Sequence, residues 1–113
     1  MKADPKTDIV QRQLDAYNAQ DLDAYCACFT SDLIVADLNG KVTSSGLDAF
    51  RARYADVFKR WPGNRARLVN RIRVGATVID HEDVTRGAGL ERFEVAAVYT
   101  LRDGKIARID FVR

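Results

Sequence analysis

Histidine, tryptophan and methionine each occur once in the chain, and proline and cysteine twice. One histidine flanked by acids on alternating strand faces does not supply the convergent ligands of a zinc centre. Cys26 and Cys28 lie two apart on a predicted helix, so their side chains diverge and share neither a metal nor a disulfide. Cys26 is expected in the core and Cys28 at a more exposed position. No stretch approaches the ~20 apolar residues of a membrane span. Met1 to Thr7 lacks the apolar run of a signal peptide, so a cytoplasmic protein with no membrane partner is expected. Neither sign of charge prevails: 18 basic and 16 acidic residues leave a formal +2. That balance gives no electrostatic footprint for nucleic acid. The densest basic stretch, Lys59, Arg60, Arg65, Arg67, Arg71 and Arg73, reads as a solvated strand face. Glycine-rich phosphate loops, nucleophile elbows and Walker-type sequences are also missing, so no cofactor is expected.

What is present is an ordinary apolar fraction of 47% in 113 residues, enough for one core and one domain over residues 1–113, with residues 1–4 poorly ordered. Asp4-Pro5 has the form of a helix start, and Val10, Leu14 and Tyr17 follow at helical spacing. A break near Ala19-Gln20-Asp21 precedes a second short helix with Leu22, Tyr25, Cys26 and Phe29 on one face. Leu33 to Leu38 and Lys41 to Ser44 flank Asn39-Gly40, a hairpin signal. Ser45-Gly46-Leu47-Asp48 resembles a capping box, opening a third helix with Leu47, Phe50, Tyr54, Val57, Phe58 and Trp61 on its apolar face.

From Ala66 the period becomes two. Strands are predicted over 65–74, 76–86 and 90–101, with Lys105 to Val112 as the last. The expected fold is α+β, with three helices in the N-terminal half packed on a curved antiparallel sheet. Several strands are apolar on both faces, which calls for cover on the side away from the helices. Val69, Val78, Ala96, Val98 and Val112, interleaved with Arg67, Arg71, Glu94 and Asp110, are assigned to that side. A homodimer joined through the sheet is the expected assembly.

The segments Ala16-Tyr17-Asn18-Ala19-Gln20-Asp21-Leu22-Asp23-Ala24, Phe29-Thr30-Ser31-Asp32, Val35 to Gly40 and Gly46 to Phe50 resemble the opening of ketosteroid isomerase and SnoaL-like proteins. The final Arg102-Asp103-Gly104-Lys105-Ile106 hairpin extends the similarity over nearly the whole chain. The resemblance implies a cone-shaped, cystatin-like fold of the nuclear transport factor 2 type, a mostly apolar pocket and frequent dimerisation. Its members catalyse several reactions or none. It places the isomerase's carboxylate base at Asp37 and its hydrogen-bonding tyrosine at Tyr17. That enzyme stabilises its oxyanion with a tyrosine and a protonated second acid, and the position of the second acid falls on Ala97, so the resemblance does not carry classical ketosteroid isomerase activity with it.

Three residues are therefore candidates for chemistry. Asp37 shares a strand face with Val35 and Leu33, but equally suits an exposed turn-initiating aspartate. Tyr17 lies on the apolar stripe of the first helix, as core or as a hydroxyl donor. His81 lies in Asp80-His81-Glu82-Asp83, either facing the pocket as a proton-transfer partner or paired with a charge on the sheet exterior. It would share the face of Thr77 and Ile79, whereas Asp80 and Glu82 would lie with Val78 and Val84. Tyr54, Phe58, Trp61, Ala97, Tyr99 and Phe111 are the expected pocket walls. The function anticipated is binding of a small, mainly apolar molecule, with cofactor-free isomerase or lyase chemistry at Asp37. The alternative is a non-catalytic ligand-binding or dimerisation module.

Overall fold

The computed structural model describes residues 8–113, so the Asp4-Pro5 helix start and the expected loose residues 1–4 lie outside the described residues. Helix α1, Ile9–Ala19, begins at Asp8, whose carboxylate accepts from the Val10 amide at 3.0 Å. It ends at Gln20, which takes a left-handed conformation. A second capped turn, α2 (Leu22–Cys26), opens at Asp21. Helix α3 (Leu47–Arg60) starts from Gly46 with no side-chain cap, because Ser45 is the last residue of the preceding strand and not a capping residue. Among the described residues no helix is long and apolar enough to cross a membrane.

Six strands form one sheet: β1 (Phe29–Asp37), β2 (Val42–Ser45), β3 (Arg65–Val74), β4 (Thr77–Thr85), β5 (Arg92–Arg102) and β6 (Lys105–Val112). Their order is β2-β1-β6-β5-β4-β3. The expected meander runs from β3 to β6. The pairing of β1 with β6 is parallel, however, so the sheet is mixed where the sequence suggested all-antiparallel. Parallel closure joins segments some seventy positions apart and leaves no local turn signal.

The helices cover one face. Val10, Tyr25, Phe29, Leu33, Phe50, Val78, Ala97, Ile106 and Ile109 form the main core beneath them. Both Cys26 and Cys28 are buried, because the helix ends at Cys26 and the turn after it swings Cys28 inward. Asn18 clamps α1 to the start of β3: its amide donates to the Ala66 carbonyl at 2.9 Å, and its oxygen accepts from the Ala66 amide at 2.8 Å.

A bulge at Val69 sets which side chains face the helices. Leu68 pairs with Glu82 and Asn70 with His81, so one extra residue is accommodated in β3 and the alternation inverts beyond it. Asn70, Ile72 and Val74 consequently turn outward. Arg71 and Arg73 turn inward, to Asp80 and to Asp8. Two outer-face assignments are corrected: the bulge puts Arg71 on the helix side, and the alternation of β4 itself puts Val78 there, wholly buried.

Candidate functional site

Between the helices and the concave half of the sheet lies a partly open cavity of about 430 Å³. Gln13, Leu14 and Tyr17 reach it from α1, Tyr25 from α2, and Arg53, Tyr54 and Val57 from α3. The sheet supplies Glu82 and Val84 from β4, Phe93, Val95 and Tyr99 from β5, and Phe111 from β6. Arg86, just beyond β4, also faces it. Most of this wall is aromatic or aliphatic, with a few polar atoms directed inward, as in small-molecule sites generally.

Three acids line the cavity, Glu82, Glu91 and Glu94, and Glu82 is the buried one among them. It is only 7% exposed, and its neighbours in the sheet are Leu68 and Val95. Burial pushes its carboxyl up to about 7, and the nearby Asp80 charge pushes the same way while Arg71 partly opposes both. Asp80 itself is fully buried beneath the site and held bidentate by Arg71, whose Nε and Nη2 donate to its two oxygens at 2.6 and 2.9 Å. Arg71 also donates through Nη1 to Gln11 at 2.9 Å, which ties this pair to α1.

Tyrosine hydroxyls complete the polar set. Asn64 donates to the Tyr17 hydroxyl at 2.5 Å, leaving the phenolic proton of Tyr17 for another acceptor. Burial, with the neighbouring Tyr54 adding to it, pushes Tyr17 up to about 12, so it stays protonated. The Tyr99 hydroxyl accepts from Gln13 at 3.2 Å, and burial likewise raises Tyr25, Tyr54 and Tyr99. Each is therefore a donor at neutral pH.

Of the residues expected in the pocket, Tyr17, Tyr54, Tyr99 and Phe111 line the cavity. Phe58 is packed in the aromatic core, 5.7 Å from Tyr17 between ring centroids. Trp61 stands behind Arg86, and Ala97 is buried between Asp80 and Phe111 in the sheet register. None of these three is a lining residue.

Two of the catalytic candidates are also displaced. Asp37 pairs with Phe111 in register but is exposed at the end of β1, where its backbone carries the hairpin turn through bonds to Lys41 and Gly40. His81 points to the outer face and meets Glu94 at 2.8 Å. Alternation along β4 explains why: Val78, Asp80, Glu82 and Val84 are buried on the helix side, and His81 lies between them on the other. The signal for Glu82 was thus present as an acid at the apolar parity of a strand, two residues from a second one.

The basic stretch is largely paired. Arg67 meets Asp83, Arg71 meets Asp80 and Arg73 meets Asp8. Asp83, also clasped by Arg92, is held down to about 2, chiefly by the Arg92 hydrogen bonds.

The fold recurs widely. An uncharacterised cystatin-fold protein from Novosphingobium aromaticivorans is 35% identical, over 98% of this chain and 100% of that one, with a TM-score of 0.87. A "putative polyketide cyclase" from Sinorhizobium meliloti is 25% identical, over 93% of this chain and 94% of that one, at a TM-score of 0.78. An NTF2-like protein of unknown function from Cytophaga hutchinsonii is 16% identical, covering 99% and 93%, also at 0.78, a likeness of fold alone. No curated protein matches the chain. The model of the SnoaL-like domain matches residues 10–109, which takes in every helix and strand that builds the cavity except the ends of the first and last, and the chain belongs to that family.

Proposed function

We propose that the cavity binds a small, mainly apolar molecule and that Glu82, in place of Asp37, moves a proton on it without a cofactor. The observation that carries this reading is a carboxyl with its pKa at about 7, set among protonated tyrosines in a mostly apolar cavity. A general base works best when its pKa lies near the operating pH. In this reading the Glu82 carboxylate removes a proton from carbon next to a carbonyl. A tyrosine hydroxyl, Tyr17 first among them, donates to the oxygen that gains charge. Return of the proton to another carbon gives an isomerase, and departure of a neighbouring group gives a lyase. The cyclase-named relative supports a small-molecule substrate.

Deuterium exchange next to the carbonyl of small apolar ketones, followed by NMR, tests it. The protein is expected to accelerate exchange of at least one ketone, and Glu82→Gln to lose roughly 10²–10⁴-fold of that rate. Equal rates for the two proteins would remove Glu82 from the reaction. Failure of the whole panel to exchange faster or to raise the melting temperature would remove the small-molecule reading.

A second reading is an interaction module, favoured by Val69, Ile72, Val74 and Val112 standing exposed on the outer sheet face, Val74 at 72%. We propose that a second copy covers it. Sedimentation at micromolar concentration is expected to give twice the 12.7 kDa chain mass. Val98→Asp, which places a charge between Ile79 and Asp110 in the sheet, should return a monomer. A 12.7 kDa species from the unaltered protein would overturn the dimer.

A further inference from the structure

Arg86 differs from the other arginines that turn toward the protein. Its guanidinium lies over the Trp61 ring at 4.2 Å and over the Phe93 ring at 5.0 Å. This position follows from the close approach of two turns, since a Cβ on Gly63 would stand 3.4 Å from the Gly87 Cα. Nη1 donates to Asn64 Oδ1 at 2.9 Å. Nε is buried and has no hydrogen-bond partner, and among the described residues no carboxylate is paired with this side chain.

The unused Nε and Nη2 edge is the one this protein elsewhere uses to hold carboxylates. Arg71 grips Asp80 through Nε and Nη2, Arg92 grips Asp83 through the same two nitrogens, and so does Arg108 with Asp110. A guanidinium fork matches a carboxylate geometrically, and taking the cation out of water without an anion is costly. The aromatic faces offset part of that cost but supply no hydrogen-bond acceptor to Nε, which stays unpartnered. Arg53 and Arg113, which also border the cavity, are exposed, and Arg113 rests on the single ring of Phe111 at 4.9 Å, whereas Arg86 is held by two rings and the Asn64 hydrogen bond.

We infer that Arg86 docks the carboxylate of a ligand in the cavity, so that the molecules this site accepts are small carboxylic acids with an apolar body. The inference rests on the cavity being a ligand site and names the ligand's chemical class. Arg86 lies four residues beyond Glu82, roughly 13 Å along the chain at strand spacing. The acid group would then bind at one end of the cavity and leave the apolar body toward Glu82. Asn64, 1% exposed, is the positioning residue that joins Arg86 to Tyr17: its oxygen accepts from Arg86 and its nitrogen donates to Tyr17.

A matched pair of probes, 2-naphthoate and the neutral 2-naphthalenemethanol, separates the two propositions by isothermal titration at about pH 6, where Glu82 keeps its proton. Naphthoate is expected to bind the unaltered protein at least about tenfold tighter than the alcohol. Arg86→Gln should erase that preference while leaving the alcohol's affinity in place, and Arg86→Lys should keep only part of it, because the point charge remains without the fork. Equal affinities in the unaltered protein overturn the carboxylate inference and leave the cavity reading standing. A preference that survives in Arg86→Gln also overturns it, by placing the anion on another residue. Binding of neither probe overturns both. The unaltered protein alone decides the first comparison, so the inference stays testable if Arg86→Gln fails to fold.

Discussion

Replacing Arg71 with methionine is expected to lower the unfolding free energy by about 3–5 kcal/mol, because it strands the Asp80 carboxylate in the core. Asp80 is fully buried, and Arg71 satisfies both of its oxygens while bridging to Gln11 on α1. A domain of this kind has about 5–15 kcal/mol in all, so the variant should be marginally folded at 25 °C. The pair is not thereby a large source of net stability. Removing both charges, with Arg71→Met and Asp80→Leu together, is expected to recover most of the loss, since an apolar pair carries no desolvation penalty. Urea unfolding of the four proteins at pH 7 measures the cycle. A single variant within about 1 kcal/mol of the unaltered protein would mean that Asp80 finds water or another partner. Methionine here should also move Glu82 further up, because Arg71 is the charge that holds it down.

Arg71 also marks where the sequence stopped being readable. Period-two patterning located β3 to β6 to within a few residues, and Asn39-Gly40 and Arg102-Asp103-Gly104 marked turns that the structure contains. Alternation through β3 put Arg71 on the outer face, and a single inserted residue at Val69 reverses that. Nothing in Leu68-Val69-Asn70 announces a bulge: there is no glycine, and Val69 is a favourable strand residue.

The candidate site was legible in a different degree. Parity along β4 already separated Glu82 from His81, but with Val78 assigned to the outer side it carried Glu82 there too, and only the burial of Val78 turns that face toward the helices. The chemical weight of Glu82 could not be read either, because it depends on Asp80 below and on burial by Val95 and Leu68 from neighbouring strands. Tyr17 could be placed on the apolar stripe of α1. That its oxygen is taken by Asn64 depends on a turn 47 residues away, and Arg86 was silent in the sequence because its ring partners come from two further segments. Asp37 shows the converse: it pairs in register with the cavity residue Phe111, yet it is exposed at the end of β1 where the hairpin turn begins.

Glu82→Gln should make the protein more stable above neutral pH and leave it nearly unchanged in acid. The folded state holds this carboxyl at about 7 against an ordinary 4.5. At about 1.4 kcal/mol per pH unit, that difference amounts to about 3 kcal/mol. The sign follows from proton counting. Below pH 4.5 the carboxyl is protonated in both the folded and the unfolded chain, so it contributes no pH dependence. Between pH 4.5 and about 7 the unfolded chain gives up the proton while the folded one keeps it, and stability falls as pH rises. Above about 7 the folded protein must carry the buried charge, and the full penalty is present. Glutamine keeps the shape of the protonated acid and never ionises, so the gap between the two proteins should open through that window and reach about 3 kcal/mol at pH 8. Urea unfolding of both proteins from pH 4 to pH 9 reads this difference directly and cancels the titration of every other group. A gap that stays constant with pH would place the Glu82 carboxyl in water and take away the poised acid on which the proton-transfer reading depends. A gap that opens as described gives that reading its physical reason, since burying an ionisable carboxyl costs stability and an apolar residue at position 82 would pack there without the cost.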